Sequence, residues 1–266
     1  MSCSICSMPD DARLTQPPGN MPRSPAPEMA APTADALRTR FVALWSRAGG
    51  KQAEMVYAAL FERYADPARH YHTLQHVRRC LRDFDWARSA IADRDAVAVE
   101  LALWCHDVVY TPGGTDNEAR SAAWLRQWSG VASRASAGAA AEKGAGNGMA
   151  EIARVGRLIL DTSHTHTPSD AAGCFVVDID LAVLGYPRRW FCGDAVNLRA
   201  ERPDLDAMAY DRGERAFLST LLARPRIYLT EPFFGRYEAR ARRNLSWRLE
   251  QASPPGLSTP LRGTLP

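Results

Sequence analysis

Between residues 35 and 250 the apolar side chains recur every three to four positions, and no stretch alternates convincingly with a period of two. That spacing buries one face of a helix, whereas a half-buried strand needs strict alternation. Segment 35–47 places Leu37, Phe41, Leu44 and Trp45 on one stripe, and segment 52–64 does so with Val56, Leu60 and Tyr64. Further helices are expected at 72–90, 94–108, 116–128, 150–161, 187–199, 204–223 and 236–250. Phe175-Val176-Val177-Asp178-Ile179 suits a strand locally, but an isolated strand has no partner. The expected fold is all-α: one compact helical domain over 34–251, between disordered termini.

The flanks differ in composition. Residues 1–33 hold seven prolines and little periodicity, and read as a disordered leader. Residues 131–148 are rich in Ala, Gly and Ser, a flexible insertion between helices. Residues 252–266 form a Pro- and Gly-containing tail. No apolar run reaches the ~18 residues of a membrane span, and the first residues lack a charged-then-apolar export signal. A cytoplasmic protein without a membrane partner is the expectation.

The six cysteines, at 3, 6, 80, 105, 174 and 192, do not form a disulfide framework. Cys3-x-x-Cys6 lacks the second pair that a zinc site needs. Arginine supplies almost all of the 33 basic residues, lysine appearing only at 51 and 143. Thirty acidic residues interleave with them, so no nucleic-acid polymer is expected as a partner.

Histidine and aspartate carry the chemistry. His72 and His76 stand one helical turn apart, so on a helix they share a face. They can grip one metal together, or one can bind metal while the other serves a substrate. His106 and Asp107 are consecutive, diverge by about 100° on a helix, and follow the apolar run Leu101-Ala102-Leu103-Trp104-Cys105. A buried His-Asp pair needs partners, because unpaired buried charge is costly. Asp178 and Asp180 come late. Two imidazoles and two carboxylates suit a divalent metal: Mn, Fe, Co, Ni or Zn, and Mg less well.

This order resembles the HD superfamily of metal-dependent phosphohydrolases, helical domains named for an adjacent His-Asp. The resemblance covers most of 35–250 and rests on RHYHTLQHV at 69–77, WCHDVVY at 104–110, TDNEARSA at 115–122 and DIDLAVLG at 178–185, with further similarity around Tyr210, Gly213, Arg215 and EARARRNL at 238–245. It looks closest to a bacterial branch of predicted HD hydrolases. It implies His106, Asp107 and Asp180 as metal ligands, with Asp178 left to capping or support. By analogy with cyclic-nucleotide phosphodiesterases it implies His76 as the fourth ligand and His72 as general acid. It also implies one or two ions, a metal-activated water, and a small phosphorylated substrate, with nucleotides favoured. Two alternatives stay open: a di-iron oxygenase of the same fold, and a non-catalytic metal- or nucleotide-binding sensor.

Supporting residues have two readings each. Glu118 matches the family piece and is a candidate for the catalytic site, but Thr115-Asp116-Asn117-Glu118 also reads as a capping box. His164 and His166 are candidates for a second metal, or loop histidines. Arg199, Arg215 and Arg242 are candidate phosphate clamps, or surface and helix-pairing residues. Tyr110 and the Thr111-Pro112-Gly113-Gly114 loop either cover the site or form a turn. Cys105 is read as core.

Overall fold

The structure, a computed structural model, describes residues 33–130 and 145–252. The Cys3/Cys6 pair, residues 1–32 of the leader, most of the Ala/Gly-rich insertion and the tail beyond 252 lie outside the described residues. Ten α-helices and no strand make up the regular structure among the described residues. They are α1 (Ala34–Arg47), α2 (Ala53–Tyr64), α3 (Leu74–Ala87), α4 (Asp93–Cys105), α5 (Asn117–Trp128), α6 (Ala145–Asp161), α7 (Ala171–Asp180), α8 (Arg188–Ala200), α9 (Ala207–Ala223) and α10 (Glu231–Glu250). No helix among the described residues is long and apolar enough to cross a membrane.

Helix α4 is the centre of the fold. Every residue from Ala98 to Cys105 is buried, because this segment is apolar on all sides apart from Glu100. It packs against α1, α3, α5, α6 and α7. The aromatic residues of the first two helices close over it: the Phe41 and Trp104 rings meet edge to face at 5.3 Å, and the Tyr64 hydroxyl donates to the Trp104 carbonyl at 3.0 Å. Glu100 tolerates burial because Arg40 donates to it at 2.7 Å. Truncating a fully buried member such as Leu101 to Ala costs about 2–5 kcal/mol.

The apolar spacing locates most helices, but local chemistry moves several ends. The strand-like run at 175–179 lies inside α7, whose N-cap Asp170 accepts from the Gly173 N–H at 2.9 Å. With an N-cap and helix partners α3, α4 and α6 available, the β-branched run folds as a buried helix. Helix α6 begins at Ala145, inside the segment expected to be a flexible insertion. Helix α10 begins at Glu231 rather than 236, with proline in its first turn, where the missing N–H is harmless. The Thr115 capping box does not form. Asp116 is the N-cap of α5 and makes no side-chain cap bond.

Candidate metal centre

Three helix ends meet at one point. Helix α3 starts at Leu74 because the Thr73 side chain accepts from the Gln75 N–H and caps it. His76 is thus in the first turn of α3, while His72 lies before the helix. The expectation of two histidines on one helical face is therefore corrected: the cap falls between them.

Helix α4 ends at Cys105 and His106 is its C-cap. The His106 N–H still reaches Ala102 O at 2.9 Å, but the Val108 N–H bonds Cys105 O in a tighter turn. Leaving the helix at this point brings the consecutive side chains together, with His106 Nε2 and Asp107 Oδ2 2.9 Å apart. The 100° divergence expected on a continuing helix does not apply. Asp180 is the last residue of α7.

The donor atoms converge. His76 Nε2 lies 3.1 Å from His106 Nε2, 3.1 Å from Asp180 Oδ1 and 3.6 Å from Asp107 Oδ2. His106 Nε2 lies 3.4 Å from Asp180 Oδ1. Donors sharing one ion with bonds near 2.1 Å stand about 3.0–3.6 Å apart at angles of 90° to 120°. The spacing therefore fits a coordination shell. The chemistry fits too, since two carboxylates with two neutral imidazoles offset a divalent cation. The Leu103 carbonyl can only accept, so His106 Nδ1 carries a proton at 3.1 Å from it, and Nε2 is the ring atom that faces the cluster.

The clustered groups shift one another's proton affinity. Burial lowers the His76 pKa, with Asp180 opposing. Burial also disfavours a charged His106, but Asp107 and Asp180 outweigh it and hold its pKa well above the ordinary value. Asp180 stays well below the usual carboxylate range despite burial, because His106, His164 and His76 hydrogen-bond to it. Asp107 is lowered by His106 in the same way.

Cys80 joins the cluster, which the sequence reading missed. Its Sγ is 3.6 Å from His76 Nε2. One donor atom each from His76, Cys80, His106 and Asp180 lie within 4.8 Å of one another, a set that can hold a metal ion. The signal was present: Cys80 is four residues after His76 and so on the same helix face. Burial pushes the thiol well above its ordinary pKa.

His72 stands beside the cluster, its ring centroid 6.2 Å from that of His76. Its Nδ1 is 2.6 Å from Glu201 Oε2. Glu201 Oε1 accepts the backbone N–H groups of His70, Tyr71 and His72 at 2.7, 2.7 and 2.9 Å. Burial opposes the charge on Glu201, but His72 and these N–H groups lower its pKa to about 2. An ionised acceptor requires the proton on Nδ1, which leaves Nε2 as the ring's other working atom. Tyr110 stacks on the ring at 4.0 Å. Arg69 fixes the two segments to each other, donating to the carbonyls of His72, Asp107 and Val108. No spacing in the sequence marks Glu201, which lies 129 residues from His72.

The remaining candidates divide. His164 reaches the cluster, with Nε2 3.0 Å from Asp180 Oδ2, and its backbone takes a left-handed φ of 57°. His166 does not: it pairs with Asp161 at 3.0 Å and its side chain is 52 % exposed. Asp178 supports the fold, accepting the Leu229 and Thr230 N–H groups and the Thr230 hydroxyl at the start of α10. Glu118 is half-buried and makes no hydrogen bond or ion pair with the described residues, so nothing ties it to the cluster.

The arginines are bonded within the fold, in the helix-pairing and loop-closing roles that were the alternative reading. Arg199 donates to the carbonyls of Arg202 and Leu205, and Arg215 to Asp211 and the carbonyls of Leu249 and Gln251. Arg242 bonds Glu238 and three backbone carbonyls. Their donors close loops and helix ends. The 111–114 loop is a tied turn: Asn117 accepts the Thr111 N–H and donates to the Thr111 carbonyl. Cys105 is core, as expected.

No family model, curated protein or solved structure matches this chain.

Proposed function

We propose that the chain is a metal-dependent phosphohydrolase that cleaves a phosphoester of a small molecule, with nucleotides the favoured class. The observation that carries this reading is the convergence of His76, His106, Asp107 and Asp180 beside a histidine braced by a buried glutamate. A divalent ion on those donors supplies Lewis acidity toward a phosphoryl oxygen and toward water. Water adds to phosphorus, the P–O ester bond breaks, and the alcohol leaves with a proton. His72 holds that proton on Nε2, oriented by Glu201 at Nδ1. Asp107, which lies beside His106 and is not fully buried, orients the attacking water.

The test uses purified full-length protein, metal analysis and a panel of phosphomonoesters and nucleotides with each divalent metal. Turnover should require metal, and His106→Ala and Asp107→Ala should abolish both metal binding and turnover while the helical circular dichroism persists. Full metal-dependent turnover in either variant would sink the reading.

One observation favours a second reading. Asp180 offers Oδ1 to His76 and His106 and Oδ2 to His164, so His164 and Asp180 would help hold a second ion if the site were that of a di-iron oxygenase. Two irons per chain and dioxygen uptake in anaerobically prepared protein would favour it over hydrolysis.

A further inference from the structure

A cavity of about 310 Å³ is separated from the cluster by single side chains, none of the proposed ligands being in its wall. Its wall includes Tyr71, Tyr110, Phe191, Leu198, Phe217 and Asp194. Two of these touch the site directly: the Tyr71 ring lies 4.9 Å from that of His76, and Tyr110 stacks on His72. Phe217 faces the ring of His164 at 6.5 Å. The size is at the lower end for small-molecule pockets, and the lining favours a flat apolar body.

Asp194 is the exception in that wall. Arg202 and Glu214, the other charged residues there, are paired with Asp204 and Arg248. Asp194 Oδ1 accepts from Arg79 at 2.6 Å and its side chain is only 7 % exposed. Its Oδ2 is buried with no hydrogen-bond partner among the described residues. A buried carboxylate oxygen without a donor is costly, and native proteins rarely leave one so. A ligand hydroxyl or N–H in the cavity removes that cost.

We infer that this cavity holds the organic part of the substrate, a flat aromatic group bearing a hydrogen-bond donor, and that Asp194 Oδ2 accepts from that donor and sets specificity. The inference rests on the hydrolase reading for the position of the phosphate only.

The test pairs two esters that share a phosphate and a flat body: 6-hydroxy-2-naphthyl phosphate and 2-naphthyl phosphate. The full chain loaded with metal should prefer the hydroxylated ester about ten-fold in kcat/KM, the effect of one hydrogen bond to a charged group. Calorimetry should show the same preference for free 2-naphthol over 2-methoxynaphthalene, which has no donor. Asp194→Asn keeps an oxygen for Arg79 and presents an amide NH₂ in place of Oδ2, so the preference should vanish without loss of folding. Turnover with equal preference, or a preference that Asp194→Asn leaves intact, overturns the assignment, as does failure of 2-naphthol to bind. Asp194-dependent naphthol binding without turnover of either ester leaves the cavity assignment standing and sinks the hydrolase reading.

Discussion

Glu201 holds His72 at two points, taking the ring Nδ1–H on one carboxylate oxygen at 2.6 Å and the backbone N–H on the other at 2.9 Å. The glutamate comes from the end of α8, while His72 precedes α3, so the ring is fixed from outside its own segment. A histidine held in this way keeps Nε2 in one direction, as proton transfer requires.

If His72 protonates the leaving oxygen, the cost of losing its brace depends on the leaving group. Glu201→Gln and His72→Asn should lower turnover of alkyl phosphates about 100-fold, within the range of general acid catalysis. Turnover of 4-nitrophenyl phosphate, whose leaving group needs no proton, should fall far less. Equal losses for both esters would assign Glu201 a purely structural role.

Glu201 also predicts an acid-sensitive part of stability. Its pKa falls from 4.5 to about 2 on folding. A carboxylate whose pKa is lowered in the fold stabilises it above the unfolded value and loses that contribution as pH falls through the folded value. The contribution is on the order of 3 kcal/mol at neutral pH. Urea unfolding should show wild type and Glu201→Gln furthest apart above pH 5. The gap should close progressively between pH 4.5 and 2. A gap independent of pH would mean that the carboxylate is not charged in the fold.

The helical fold was legible because the core stripes are periodic: Leu37, Phe41, Leu44 and Trp45 are all buried, as their spacing requires. The four proposed ligands were legible as types in order, although their convergence depends on two helix ends that periodicity does not mark. Thr73 places His72 off α3, and the tight turn after Cys105 folds His106 and Asp107 back on each other. Glu201 and Asp194 were not legible. Each acts across more than 100 residues of chain, through contacts to Tyr71, His72 and Arg79 that no local pattern encodes. The arginines stayed open in sequence for the converse reason: a guanidinium that closes a loop and one that binds phosphate look alike there.

Gly185 sets how closely the segment after Asp180 approaches α10. A Cβ there would meet the Tyr237 Cβ at 2.5 Å, and this is the near end of a side chain rather than a flexible tip. Tyr237 is itself fixed by its hydroxyl bond to Asp83 at 3.0 Å. Gly185→Ala should therefore force α10 outward and destabilise the fold by about 1–3 kcal/mol. For a chain of this length that lowers Tm by roughly 2–12 °C, measurable by thermal circular dichroism. An unchanged Tm would show that α10 yields without cost.

If the cluster holds an ion, Cys80 should bias which one it prefers. Its sulfur stands beside His76 in a set otherwise made of nitrogen and oxygen donors. Burial keeps the free thiol protonated, but a coordinating thiol is deprotonated outright. Sulfur ligation biases a site toward zinc and away from magnesium and manganese. Wild type loaded with cobalt should show a sulfur-to-metal charge-transfer band in the near ultraviolet, and Cys80→Ser should lack it. The same variant should still bind one ion through His76, His106, Asp107 and Asp180, with its preference for zinc over manganese reduced about ten-fold or more, a difference of about 1.4 kcal/mol in relative affinity. A wild-type spectrum without the band would remove Cys80 from the coordination shell and leave the nitrogen and oxygen donors to set the choice of metal.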